Sequence, residues 1–276
     1  MKAAVLGSPI AHSLSPILHR AGYAALGLTG WTYTAIECAE AGLPELVASC
    51  GLEWAGLSLT MPLKRAVLPL LDTTEPLAAA VGSVNTVVFA RGRRHGYNTD
   101  VPGMVAAMAE AGLATPRSAL ILGAGATACS ALAVLKDVGL PAVTVAVRDP
   151  ARAVGLLEVA ARLPVHVDLL PLAAAADMSP PPELLISTVP AGAADFLAEK
   201  IEAGQPVPPH VFDVVYARWP TPLAGAAQKA GATVVGGFDL LLHQAVGQFE
   251  LMTGHLAPLD AMRTAGQAEL DRRSAT

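Results

Sequence analysis

Aromatic side chains make up only 4% of this 276-residue chain and charged ones 15%. A net charge of −5 with no basic stretch excludes a nucleic acid as the expected partner. Cys38, Cys50 and Cys129 are odd in number and far apart, which excludes a disulfide framework and predicts reduced thiols in the cytoplasm. No run approaches the roughly 18 apolar residues of a membrane span, so no membrane association is expected. Lys2–Leu6 reads as a strand, so no signal peptide is expected either. The seven histidines do not gather with cysteines or carboxylates at ligand spacing, so no metal is predicted. What remains is a protein of small molecules, long enough for two domains and acting as a monomer or homodimer.

Hydrophobic residues reach 53%, mostly Ala, Leu and Val, and one apolar segment carries a signature. Ser118–Leu122 reads as a short buried strand, followed at once by Gly123-Ala124-Gly125-Ala126-Thr127-Ala128 and a helix running to Val138. Strand, glycine turn and helix N-terminus in that order make a dinucleotide pyrophosphate site. Gly123 allows the tight turn, Gly125 lets backbone N–H groups approach phosphates, and Ala128 permits close helix–strand packing. More than a hundred residues precede this module, and they are expected to carry the substrate.

Short strands and helices alternate throughout. In the first part strands are predicted over 2–6, 31–36, 55–59, 84–89 and 94–97, with helices over 16–26, 42–50, 63–70, 76–81 and 101–111. Arg91-Gly92 marks a turn between two strands, so this sheet is mixed. Strands over 118–122, 143–147, 165–169, 184–187, 211–215 and 232–235 alternate with helical stretches, which predicts a parallel, doubly wound sheet. Two helices follow Gly237. The fold class is α/β. A substrate domain over 1–102 is expected, then a cofactor domain over 103–236 and C-terminal helices over 237–276.

Polar residues of the first part fall at strand ends and turns, where α/β proteins place their sites. Ser13 and Ser15 precede a helix and suit a carboxylate, although taken alone they read first as a turn residue and a helix cap. Thr60-Met61-Pro62-Leu63-Lys64 puts one of only five lysines in the first turn of a helix, where electrostatics disfavours a cation. Asp100 follows Asn98-Thr99 at another helix start. Its commonest role there is a cap, but a carboxylate beside Lys64 would make a proton-handling pair. Asn85 and Thr86 are polar groups within an apolar strand and require partners.

Gly7–Pro16, Thr60–Lys64, Gly82–Thr86, Asn98–Asp100, Asp213–Tyr216, Pro220–Leu223 and Gly237–Gln244 together resemble the ordered signatures of the shikimate dehydrogenase family, over nearly the whole chain. The resemblance implies a substrate domain, a Rossmann-type NADP domain and helices returning to the first domain. It implies reversible NADP-linked reduction of 3-dehydroshikimate to shikimate, a step of aromatic amino-acid biosynthesis. By position, Lys64 and Asp100 would form the catalytic pair. Ser13, Ser15 and Tyr216 would hold the substrate carboxylate, with Thr60, Asn85, Thr99 and Gln244 around the ring. Gly123, Ala124, Gly125, Ala126, Arg148, Arg152, Thr188, Val214 and Gly237 would meet the cofactor.

The chain departs from the family pattern at three places. Ser58 stands where Asn is usual, Asp149 where a hydroxyl is usual, and Leu240 where Met is frequent. Arg148 and Arg152 suit a 2′-phosphate, whereas an acidic residue near this point suits the free ribose of NAD. The alternatives are a quinate/shikimate or aminoshikimate dehydrogenase using NAD, and a non-catalytic metabolite sensor on the same scaffold.

Overall fold

The computed structural model describes residues 1–275. Two compact units divide the chain, one formed by residues 1–103 with 241–276 and the other by 104–240.

The first unit begins with β1 (Lys2–Gly7), α1 (Ser15–Ala25), β2 (Thr32–Glu37), α2 (Leu43–Ser49) and β3 (Trp54–Leu59). It continues through α3 (Leu63–Ala66), β4 (Thr73–Thr74), α4 (Pro76–Val81), β5 (Thr86–Ala90), β6 (Arg93–Tyr97) and the start of α5 (Asp100–Glu110). Its six strands lie in the order β2-β1-β3-β5-β6-β4. β1 runs parallel to β2 and β3, whereas β5 is antiparallel to β3 and β6, so the sheet is mixed as expected. β1 has neighbours on both sides and is apolar almost throughout, while edge strand β2 exposes most of its residues. The β5–β6 hairpin turns on Arg91 and Gly92, both at positive φ, the geometry that matches strand twist.

Two local expectations fail for stated reasons. The helix predicted over 63–70 stops at Ala66 and resumes as a 3₁₀ turn over Leu68–Leu70, because Pro69 has no N–H to donate. Helix α1 begins at Ser15 with Leu14 at the cap position, so Ser15 is not a capping residue. The Ser13 hydroxyl instead accepts the Ser15 N–H at 3.3 Å.

The second unit contains β7 (Ala119–Leu122), α6 (Ala126–Asp137), β8 (Ala142–Val147), α7 (Val154–Arg162), β9 (His166–Pro171) and β10 (Leu184–Ser187). It is completed by α8 (Asp195–Glu202), β11 (His210–Asp213), α9 (Pro222–Lys229) and β12 (Thr233–Gly236). Every neighbouring pair is parallel, in the order β12-β11-β10-β7-β8-β9. Central strands β7 and β10 are buried along their whole length, and their leucines and two isoleucines drive the core. Each such side chain contributes about 1.5–3 kcal/mol when buried. The strand order reverses between β7 and β10, which is where an open α/β sheet binds its ligand. This is the doubly wound Rossmann arrangement.

Helix α10 (Gly237–Thr253) follows directly, and its residues from Leu241 onward belong with α11 (Leu259–Ser274) to the first unit. α11 packs on α1. There Arg273 donates to the His12 carbonyl at 2.6 Å, which ties down the loop carrying Ser13.

Candidate active site

In the first unit, α3 and α5 bring Lys64 and Asp100 together. The ammonium donates to Asp100 Oδ2 at 2.6 Å, with the side chains 14% and 7% exposed. The other carboxylate oxygen accepts from Asn85 Nδ2 at 2.8 Å. Asp100 does not cap its helix. Asn98 does so, accepting the Val101 N–H at 3.2 Å while its amide holds the Ser83 carbonyl at 3.0 Å. With Asn98 at the cap, both oxygens of Asp100 are available to Lys64 and Asn85.

Asn85 is the hub of this cluster. Its side-chain oxygen Oδ1 accepts from the Thr99 N–H at 2.8 Å and from Thr86 Oγ1 at 2.9 Å, and its side-chain amide also reaches Thr99 Oγ1 at 2.9 Å. Gln244 approaches the same amide at 3.4 Å and donates to the Leu241 carbonyl. That approach depends on Gly103, where an added Cβ would lie 2.7 Å from the Gln244 nitrogen. Thr60 is half-buried at the end of β3, and its backbone N–H bonds the Leu6 carbonyl at 2.9 Å. Ser15 is buried and Ser13 half-buried at the head of α1. An ammonium oriented by a carboxylate, beside fixed amide and hydroxyl groups, can move a proton to or from a carbonyl or hydroxyl.

In the second unit, Gly123 sits at φ +96 directly after β7, a backbone conformation that side chains resist, and a Cβ there would meet Thr188 Oγ1 at 2.9 Å. Thr188 follows β10 and donates to the Leu122 carbonyl at 2.7 Å, so both flank the point where the strand order reverses. Gly125 is the cap residue of α6 and offers no side chain; Ala124 precedes it and Ala126 opens the helix. The first-turn N–H groups therefore have no side-chain partner, and no acidic residue lies in that turn. Such an end fits a pyrophosphate. Arg148 and Arg152 are exposed just past β8, and neither pairs with a carboxylate among the described residues. Asp149, also exposed, accepts the Ala151 N–H at 3.0 Å and so caps the short 3₁₀ turn that follows. The Val214 N–H bonds the Ser187 carbonyl, and a Cβ at Gly237 would collide with the Val214 carbonyl. Tyr216 lies in the same loop after β11, in the second unit.

Comparison with known proteins places these motifs. Residues 5–87 match the model of the shikimate dehydrogenase substrate binding domain, and 237–265 that of the shikimate 5′-dehydrogenase C-terminal domain. An NADP(+) shikimate dehydrogenase of Thermus thermophilus is 35% identical, over 98% of this chain and 99% of that protein. This chain belongs to the shikimate dehydrogenase family. The crystal structure of Mycobacterium tuberculosis shikimate dehydrogenase superposes with a TM-score of 0.87 at 42% identity, covering 97% of this chain and 99% of that one. A shikimate 5-dehydrogenase of Thermus thermophilus, solved in complex with NADP(H) and shikimate, gives 0.82 at 32% identity, covering 97% and 99%.

This shikimate dehydrogenase family member also contains polar groups that its motifs do not announce. Tyr33, fully buried on β2, donates to Ser58 at 2.6 Å, and Ser58 donates to Gln248 at 2.7 Å. His19 stacks on Tyr33 at 4.0 Å with both ring nitrogens unpartnered. Burial pulls its pKa from 6.5 down to about 3, although the nearby Gln248 side chain opposes this, so the imidazole is neutral at physiological pH. The one available signal was spacing: Gln244 and Gln248 stand four apart and share a helix face. Among the described residues no group of three or more His, Cys, Asp or Glu gathers as a metal site, and no helix is long and apolar enough to cross a membrane.

Proposed function

We propose that this protein catalyses the reversible, NADP-dependent interconversion of 3-dehydroshikimate and shikimate. The observation that carries the reading is the Lys64–Asp100 pair held by Asn85. The bound nicotinamide supplies or takes the hydride. As the carbonyl carbon is reduced, its oxygen becomes an alkoxide, and Lys64 Nζ delivers the proton that neutralises it. In the reverse direction the neutral amine removes the hydroxyl proton as the hydride departs. Asp100 orients the ammonium and balances its charge. Ser13 and Ser15 hold the substrate carboxylate, while Thr60, Asn85, Thr99 and Gln244 set the ring.

Residues 1–103 with 241–276 serve as the substrate unit and residues 104–240 as the cofactor unit. Gly123–Ala126 receive the pyrophosphate, Thr188, Val214 and Gly237 line the rest of the cofactor, and Arg148 and Arg152 meet the 2′-phosphate. Two guanidiniums exposed just past β8, Arg148 and Arg152, support NADP over NAD. Reduced Cys38, Cys50 and Cys129 support a cytoplasmic setting.

Spectrophotometric oxidation of shikimate and of quinate, each with NADP and NAD, tests the assignment. Shikimate with NADP is expected to give the highest kcat/KM, and a preference for quinate with NAD would overturn it. Arg148→Ala is expected to weaken NADPH binding roughly tenfold to a hundredfold and leave NADH nearly unchanged.

A further inference from the structure

We propose that Gln248 is a positioning residue for the Lys64–Asp100 pair, fixed in its own orientation by Tyr33 and Ser58. The inference rests on the role given to that pair above. The direction of each hydrogen bond follows by elimination. A carbonyl can only accept, so Gln248 must turn its NH₂ toward the Asn85 backbone oxygen, 3.1 Å away. Its own oxygen then faces Ser58, whose single hydrogen is committed to it at 2.7 Å. Tyr33, at 2.6 Å, is left to donate to Ser58. Each group along this line has one permitted direction.

The line ends where the chemistry is. The Asn85 carbonyl accepts from Gln248 on one side and from the Leu59 N–H at 2.7 Å on the other, which pins its peptide. The Asn85 side chain leaves that pinned backbone and donates to Asp100 Oδ1 at 2.8 Å, while Lys64 holds Oδ2. Tyr33, Ser58, Asn85 and Gln248 are each at most 2% exposed, so bulk water cannot replace a missing partner. The His19 ring, stacked on Tyr33 at 4.0 Å, packs the far end of the line.

The test is a mutant cycle on the full-length enzyme. Gln248→Met keeps the volume and removes both hydrogen bonds. It is expected to lower kcat roughly tenfold, the size of one misdirected hydrogen bond, with the shikimate KM changed less than about twofold. In an Asp100→Asn background the same substitution is expected to cost less than about twofold, because the group it positioned is gone. A purely structural residue would give equal losses in both backgrounds, and that result overturns the inference. Should Gln248→Met not accumulate as folded protein, Tyr33→Phe carries the same cycle, with a loss of about threefold that vanishes in the Asp100→Asn background. Full kcat in that variant overturns the inference as well. Unchanged kcat in Gln248→Met beside an impaired Asp100→Asn overturns this inference alone, whereas an unimpaired Asp100→Asn overturns the role of the pair.

Discussion

The two units contrast in what their interiors contain. In the first unit Ser58, Asn85, Thr99, Asp100, Gln244 and Gln248 are buried and bonded to one another around the ends of β3 and β5. In the second unit central strands β7 and β10 pack an apolar core, and Asp213 forms the main polar knot below the surface. Burial pushes the Asp213 carboxyl above its usual range, and Thr221 holds it at 2.6 Å while capping α9. The difference matches the tasks assigned to each unit. Proton transfer and ring recognition need side chains, and buried side chains need partners. A pyrophosphate can be met by backbone N–H groups, which a glycine turn exposes without disturbing the core.

Losing the side chain that carries the chemistry is expected to have the largest effect. Lys64→Ala should lower kcat by about 10²–10⁴-fold with a smaller change in substrate KM, read by steady-state kinetics in both directions. Near-normal kcat would remove Lys64 from the mechanism and leave the polar cluster as mere scaffolding.

On the backbone side, two glycines separate folding from binding. Gly123→Ala forces a side chain into a positive-φ conformation and against Thr188, at a cost of about 1–3 kcal/mol in stability, and should lose NADPH binding too. Gly125→Ala meets nothing within 4 Å at φ −78, so its Tm should hold while NADPH affinity falls. Thermal melts and fluorescence titration of NADPH read both. Equal behaviour of the two variants would erase the distinction.

The polar interior should also cost the first unit stability in acid. His19 binds a proton at about 6.5 when unfolded but only near 3 when folded. The unfolded state therefore takes up more protons between those values, and stability is lost as the pH falls from 6.5 toward 3. His19→Phe keeps the stacking on Tyr33 and removes this term. Urea midpoints at pH 7 and 4.5 should show its stability loss reduced by roughly 2–3 kcal/mol relative to wild type. An identical loss in both proteins would place the acid sensitivity elsewhere.

The smallest effect is expected at the head of α1. Because Leu14 rather than Ser15 occupies the cap position, Ser15→Ala should raise substrate KM several-fold, as one lost hydrogen bond to a charged group does, with little change in Tm. A fall in Tm at constant KM would return Ser15 to a purely structural role.

The sequence by itself determined what depends on neighbours along the chain. The glycine turn after β7, the hairpin at Arg91-Gly92 and the alternation of strands and helices are written in residues a few positions apart, because turn geometry and hydrophobic period are local properties. Lys64 was legible as a candidate because a cation is disfavoured at a helix start, whereas Asp100 read first as an ordinary cap and became a candidate only as a partner for Lys64. Only the tertiary structure decided that Asn98, and not Asp100, caps α5, since that choice turns on where Lys64 and Asn85 lie. It alone brought Gln248 to Ser58 across 190 residues and to the Asn85 carbonyl across 163. Such bonds leave no local pattern. A buried polar side chain is satisfied by whichever partner the fold carries within about 3 Å, and that proximity exists only once the sheet has formed and α10 lies against it.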